Sequence, residues 1–187
     1  AYAFDKCLAF KGSIVIPEGV TSIGQYAFEK CSGMDGTLSL PSGLETIGNY
    51  AFSECSKLTG GITLPDTLTQ LGTYTFNKCS NINGELVLSK NLKNIPQAAF
   101  SNCSSMIGSV DIPEGVQKIN ANAFQGCSSL NGTLTIPETV DTIGAYAFDQ
   151  CSLLTGTLTI PGKVTNVSNY AFDACSGFDA LKLSDSI

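Results

Sequence analysis

The chain is built from one short unit that recurs along its whole length. Its eight cysteines keep a constant 24-residue interval, and a phenylalanine precedes each cysteine by three positions. One unit of this length is too thin to bury its own apolar side, so the units must stack on one another to form a continuous core. The period therefore argues against a compact domain of mixed elements, which the length of 187 residues would otherwise allow.

Each unit predicts one coil of a solenoid. The alternation in Leu38-Ser39-Leu40 predicts a strand of three or four residues. Proline lacks the backbone donor that a continuing strand needs, so we expect it to close the strand. It occupies this place in most units, at Pro17, Pro41, Pro65, Pro113, Pro137 and Pro161.

The second half of each unit carries apolar residues at helical spacing. In one unit these are Val20, Ile23, Ala27, Cys31 and Met34, with intervals of 3, 4, 4 and 3. Such spacing predicts a short helical or 3₁₀ turn whose apolar face packs against the strand.

A period of about 20–29 residues with recurring Leu and Ile is typical of leucine-rich-repeat solenoids. We predict an α/β repeat fold: a right-handed solenoid of 24-residue coils with short parallel strands on the concave face and short helical or 3₁₀ turns on the convex face. Residues 1–187 form a single array of about eight coils, seven full periods and a partial eighth. We expect this array to be a fragment of a longer protein, with flanking repeats or self-association covering its open ends.

Two stretches depart from the period. In the last unit Leu181 follows Leu158 one position earlier than the period predicts, and Ile187 falls where Val164 predicts it. Residues 89–122 are the least regular part of the chain. There Ser89 replaces the proline, Pro96 and Asn120 replace a glycine, and Ala98 and Asn122 replace a tyrosine.

The unit at Leu134–Cys151, Leu-x-Ile-Pro-x-x-Val-x-x-Ile-Gly-x-Tyr-Ala-Phe-x-x-Cys, resembles the BspA-like leucine-rich repeats of bacterial and some protist surface proteins. The resemblance recurs in every coil and covers the whole chain. It implies export or anchoring at the cell surface and roles in adhesion. It implies no catalytic motif.

Composition narrows the chemistry further. The chain has no His, Trp or Arg, a net charge of −6 and only 10 Lys. Without imidazole or guanidinium, most general-base, metal and phosphate sites are excluded, and nothing supplies the positive charge that nucleic acid requires. We therefore predict a chain that is not an enzyme, holds no metal or cofactor and binds no nucleic acid. It also lacks an apolar run long enough for a transmembrane segment.

The cysteines allow four interpretations: disulfides, metal ligands, nucleophiles or core residues. Neighbouring coils bring equivalent cysteines close enough to pair, but their side chains run parallel. Zinc and nucleophilic sites need converging ligands or an adjacent base, which this sequence does not repeat. The pattern favours a buried ladder of free thiols.

The outward positions of the strands are the candidate ligand surface. Repeat proteins use such faces for extended binding, although β-branched residues also favour strands for conformational reasons alone. The candidate ligand-binding residues are Thr37, Ser39, Thr63, Glu85, Asp111, Thr133, Thr135, Thr157 and Thr159.

Three further groups of residues have a structural and a functional interpretation. The recurring tyrosines either pack between coils or contact a partner. The acids that follow proline, Glu18, Asp66, Glu114 and Glu138, are interpreted as solvated loop carboxylates. Lys90 and Lys93, with Pro96, mark either a local specificity feature or sequence drift.

Two functions fit the sequence. One is an extracellular or surface-anchored adhesion module that holds a protein or glycan of a host or neighbouring cell on its concave strand face. The other is a structural spacer that displays another domain from the cell surface.

Overall fold

The computed structural model describes residues 1–184, which form a solenoid of stacked coils. We number seven complete coils from the recurring glycine that lies one or two residues before each first strand. They begin at residues 12, 36, 60, 84, 108, 132 and 156. Residues 1–11 form the last half of a preceding coil, and residues 179–184 begin the next one. The predicted position of Ile187 lies outside the described residues.

Each complete coil contains two short strands, whereas the sequence predicts one. The first strands are β1 (Ile14–Val15), β3 (Leu38–Ser39), β5 (Ile62–Thr63), β7 (Leu86–Val87), β9 (Val110–Asp111), β11 (Leu134–Thr135), β13 (Thr157–Ile160) and β15 (Ala180–Leu183). The second strands follow the proline turn: β2 (Ser22–Ile23), β4 (Thr46–Ile47), β6 (Gln70–Leu71), β8 (Asn94–Ile95), β10 (Lys118–Ile119), β12 (Thr142–Ile143) and β14 (Asn166–Val167). All pairings between strands are parallel.

The core is one apolar cluster that runs through all the coils. The phenylalanine rings stack from coil to coil, with neighbouring centroids 5.0 to 5.7 Å apart. Phe52, Phe76, Phe100, Phe124 and Phe148 are completely buried. Burial of a large ring in each of the central coils makes this column a large apolar contribution to stability.

The predicted helical or 3₁₀ segment is not confirmed. Residues 1–184 contain no helix, and this part of each coil folds as consecutive turns. Tyr26 and Lys30 have φ angles of 57°, and their counterparts in other coils lie between 50° and 71°. Such left-handed residues interrupt a right-handed helix. The apolar residues at helical spacing still face the core, because the turns curve around it.

Hydrogen bonds between coils explain why turns replace the helix. On this turn side the N–H groups of Tyr26, Phe28 and Lys30 donate to carbonyl oxygens of the next coil at 2.7 to 2.9 Å. The N–H groups between them close turns within their own coil instead. The turn side is therefore a second hydrogen-bonded wall of the solenoid, with half of its donors directed along the axis.

The first strands pair two by two. β1 pairs with β3, β5 with β7, β9 with β11 and β13 with β15. Among the described residues, no strand pairing joins β3 to β5, β7 to β9 or β11 to β13. The strand face therefore has three seams, between coils 2 and 3, 4 and 5, and 6 and 7.

A glycine and an Asx residue build this alternation. Gly12, Gly60, Gly108 and Gly156 have positive φ angles of 77 to 91°. Each donates its N–H to the side chain of the Asp or Asn 23 residues further along the chain, Asp35, Asn83, Asn131 or Asp179. The intervening Gly36, Gly84 and Gly132 do not have positive φ. A Cβ at Gly36 would lie 2.5 Å from the Ser13 nitrogen, so tight packing explains that glycine. The backbone thus repeats with every second coil although the core repeats with every coil, and we call this feature the two-coil alternation.

The second strands form two ladders, β2-β4-β6 and β8-β10-β12-β14. The break falls at Pro96, in the irregular stretch. Gly48 donates its N–H to Ile23 and Asn120 donates its N–H to Ile95, but proline has no N–H to donate to Leu71. The shortened last unit keeps its register, since Leu158 pairs with Leu181.

Candidate binding face on the first strands

The structure places all the predicted ligand-binding residues on one surface, which we call the strand face. Thr37, Ser39, Thr63, Glu85, Asp111, Thr133, Thr135 and Thr157 are exposed, and Thr159 is half-buried. They lie on or directly before the first strands, where alternation sends one side chain to the core and the next to solvent. Their part in binding stays a prediction.

The seams divide this face into paired coils. At the first seam, Ser39 and Thr63 line an open cleft of about 300 Å³ whose walls include Leu38, Leu40 and Pro65. The cleft exists because β3 and β5 do not pair. The face can therefore accept a side chain from a partner between coils, as well as contacts along their surface.

The middle of the face combines apolar and acidic groups. Val87 is 50 % exposed, and Glu85 and Asp111 lie on either side of the central seam. Neither carboxylate forms an ion pair within the described residues. An exposed valine beside two unpaired carboxylates suits a partner that presents an apolar side chain and a positive charge.

Hydroxyl groups on the face are partly tied to the backbone. Ser13 and Ser109 accept hydrogen bonds from the N–H groups of Thr37 and Thr133 at 3.1 and 3.0 Å. These contacts fix the start of each paired strand. No such side-chain bond is found for Thr63 or Thr135 among the described residues, which leaves their hydroxyls open to solvent.

The cysteines form the predicted ladder of free thiols. From Cys31 to Cys175, each Sγ–H donates to a phenylalanine carbonyl of the preceding coil, at 2.9 to 3.2 Å. Burial raises the pKa of Cys79 to about 12 and the pKa of Cys103 and Cys127 well above the ordinary range. A nucleophile needs a lowered pKa, so these thiols belong to the core.

The tyrosines pack between coils. Tyr2, Tyr26, Tyr50 and Tyr74 stack with centroids 4.6 to 5.0 Å apart, and Tyr146 stacks on Tyr170 at 5.0 Å. The column is interrupted where Ala98 and Asn122 stand. Tyr74 therefore covers Tyr50 with one face, while its other face meets no ring.

The acidic and basic side chains do not converge on a site. Asp66 pairs with Lys90 at 3.4 Å and accepts its N–H at 3.2 Å, and this backbone hydrogen bond is the main reason that the pKa of Asp66 is lowered. Glu138 accepts the N–H of Gly162 at 3.2 Å. Within residues 1–184, no cluster of three metal-ligating side chains occurs.

The two-coil alternation is the feature of this face that sequence reasoning missed. Its signal is present at the residue before each recurring glycine, where Asp35, Asn83 and Asn131 alternate with Lys11, Thr59, Ile107 and Thr155. In the shortened last unit Asp179 precedes Ala180 instead. The cysteines and phenylalanines recur in every coil and hide this longer period.

Comparison with known proteins agrees with this architecture. A family model described as "BspA type Leucine rich repeat region" matches residues 1–131 and 105–187, with six copies. A search among curated protein sequences gives no match. Residues 1–184 contain no helix long and apolar enough to cross a membrane.

Solved structures share the solenoid. A leucine-rich repeat protein from T. pallidum is 30 % identical over 76 % of this chain and 67 % of its own, with a TM-score of 0.66. One from Eubacterium ventriosum is 24 % identical over 89 % of this chain, with a TM-score of 0.70. One from Bacteroides ovatus is 21 % identical over the entire chain, with a TM-score of 0.63. The chain spans 43 % and 64 % of the length of the last two proteins.

Proposed function

Because the chain belongs to the BspA-type leucine-rich repeat family, we propose that it is a cell-surface adhesion module whose strand face binds a ligand on a host or neighbouring cell. Leucine-rich repeat proteins are generally protein-interaction modules and generally not enzymes, and BspA-like members are typically bacterial surface proteins. Residues 1–187 act in this proposal as one binding array within a longer protein.

The observation that carries the proposal is the exposed centre of the strand face, where Val87 lies between the unpaired carboxylates of Glu85 and Asp111. An exposed apolar side chain with charged groups beside it resembles the centre and rim of a protein interface. This arrangement favours a protein ligand over a glycan. The hydroxyls of Thr135 and Thr159 extend the surface toward the C-terminal coils.

The test compares lysines placed on two sides of the solenoid. The double variant Thr135→Lys/Thr159→Lys adds bulk and charge to the strand face. Gln150→Lys is a matched control on the turn side, because Lys30 and Lys78 already occupy its equivalent positive-φ position in other coils. Binding of the labelled chain to intact epithelial cells is measured by flow cytometry.

We expect the double variant to bind cells at least about tenfold more weakly, while the control binds normally. Burying the added lysines against an unmatched partner surface should cost more than about 1.4 kcal/mol of binding free energy. Loss after protease treatment of the cells identifies a protein ligand, and loss after glycosidase treatment identifies a glycan. A wild-type chain that binds no cells, or variants that bind equally, would support the spacer function instead.

A further inference from the structure

A polar groove lies away from the strand face, where the ladder of second strands is interrupted. It has a volume of about 490 Å³ and is lined by residues of coils 3, 4 and 5. This volume falls within the range of about 300–1,000 Å³ that small-molecule sites occupy. The groove is open because Pro96 cannot continue the ladder from β6 to β8.

The groove is lined by neutral groups that form hydrogen bonds. Asn94, Gln97 and Asn120 contribute three amide side chains, and Thr73 contributes a hydroxyl. No Lys, Asp or Glu lines it. An amide offers both a donor and an acceptor, so this set matches a ligand whose own groups do both without carrying charge.

Several of these side chains have polar atoms that can still form hydrogen bonds with a ligand. Asn120 uses its amide nitrogen to donate to the Ile95 carbonyl at 2.9 Å, which leaves its side-chain oxygen available. Gln97 likewise donates through its amide nitrogen to the Tyr74 hydroxyl at 3.2 Å and keeps its oxygen. Asn94 is exposed, and its amide forms no hydrogen bond among the described residues. The two anchored amides are held in position, whereas the third can adapt to a ligand.

Tyr74 stands at the edge of the groove, where its hydroxyl accepts the hydrogen bond from Gln97. Tyr74 ends the N-terminal tyrosine column, because the next coil has Ala98 at the equivalent position. One ring face covers Tyr50, and the face toward coil 4 meets no aromatic partner. Within the groove itself, Leu71, Pro96 and Ala121 supply the apolar part of the lining. An apolar surface next to amides complements a pyranose ring, which has an apolar C–H face and an equatorial belt of hydroxyls.

We propose that this groove, formed where Pro96 opens the ladder and the tyrosine column stops, is a binding subsite for an uncharged saccharide unit. The proposal is independent of the strand face, which lies on the first strands. It also gives a role to part of the irregular stretch, since two of its departures from the repeat build the groove: Pro96 opens it and Asn120 lines it.

The test titrates the ¹⁵N-labelled chain separately with maltotriose, mannotriose and chitotriose, up to about 10 mM, the range of a weak site. At least one trisaccharide should cause saturable shifts at the Asn94 and Gln97 amides. Asn94→Ala and Gln97→Ala should each weaken binding at least about tenfold, as loss of a ligand hydrogen bond predicts. Asn166→Ala is the matched control, because Asn166 begins β14 as Asn94 begins β8 but lies outside the groove.

Three results would overturn the saccharide assignment: no shifts with any of the trisaccharides, equal weakening by the Asn166→Ala control, or shifts confined to the strand face. Acetyl-triglycine amide is titrated in parallel. Tighter binding of this peptide at the groove would mean that the open backbone accepts a peptide and would also overturn the proposal. Neither groove variant changes the strand face, so failure here leaves the adhesion proposal untouched.

Discussion

The two walls of the solenoid use the same coil differently. On the turn side, the described coils repeat left-handed residues at the same positions and donate hydrogen bonds from coil to coil, and the phenylalanine and cysteine columns pack beneath them. On the strand face, strand ladders join coils only in pairs, and at the seams between the pairs isolated bridges such as Thr37 to Thr59 replace a ladder. The comparison indicates that the turn side supplies most of the cohesion between coils. The strand face has fewer hydrogen bonds between coils, so its exposed residues can differ from coil to coil.

Removing one side chain from each wall tests most directly which wall contributes more to stability. Phe100→Ala empties the centre of the phenylalanine column, where the ring is completely buried between Phe76 and Phe124. We expect it to lower the free energy of unfolding by about 3–5 kcal/mol. Thr135→Ala on the strand face should change it by less than about 0.5 kcal/mol.

Urea denaturation followed by circular dichroism measures both changes. Similar losses for the two variants would show that cohesion is shared equally between the walls. A large loss for Phe100→Ala together with a separate unfolding step for part of the chain would show that the column also couples the coils, as nearest-neighbour contacts do in repeat proteins.

The turn side, which repeats in every coil, was easier to predict from the sequence than the strand face. The period of Cys and Phe predicted the stacked coils and the buried thiols, because core volume imposes the same residue on every coil. The helical turn was not confirmed, because apolar spacing alone does not distinguish a helix from turns that curve around a core. Tyr26 and Lys30 carry no sequence signal for a left-handed backbone, since non-glycine residues seldom adopt it.

The strand face was predictable only in part. Alternation correctly placed Thr135 and its counterparts in solvent, because side-chain direction follows directly from the strand. The seams depend on which glycine is left-handed, and glycine has the same letter in both conformations. The groove depends on the missing N–H of Pro96, whose effect appears only once the neighbouring coil is in place.

Alkaline pH tests how tightly the cysteine column beneath the turn side is buried. The expected change in the free energy of unfolding is smaller than for Phe100→Ala. Burial raises the pKa of Cys79 from 9.0 to about 12, so the unfolded chain releases this proton first. The stabilisation is complete below about pH 9 and is lost as pH rises toward 12, reaching about 2 kcal/mol of loss at pH 10.5.

The loss of stability between pH 8 and pH 10.5 should therefore be about 2 kcal/mol smaller in Cys79→Ala than in the wild type. Lysine and tyrosine ionisation affects both proteins and cancels in the difference. The measurement is urea denaturation of each protein at both pH values. Identical losses would mean that Cys79 reaches solvent in the folded chain and that this wall is less tightly closed than its packing indicates.

The smallest effect concerns the origin of the seams. Asn83→Ala removes the acceptor of the left-handed Gly60 N–H, a bond of 2.9 Å at an exposed site. We expect a loss of about 0.5–1.5 kcal/mol, because water replaces part of the interaction, and faster hydrogen exchange at the Gly60 amide. Ile107→Ala is the matched control, since Ile107 occupies the equivalent position of the next coil, is 40 % exposed and has no side-chain acceptor for such a bond.

If Asn83→Ala and Ile107→Ala cost the same and leave exchange at Gly60 unchanged, the Asx contacts do not maintain the two-coil alternation. In that case the seams would arise from the glycine backbone alone, and the strand face would keep its paired coils without these side chains.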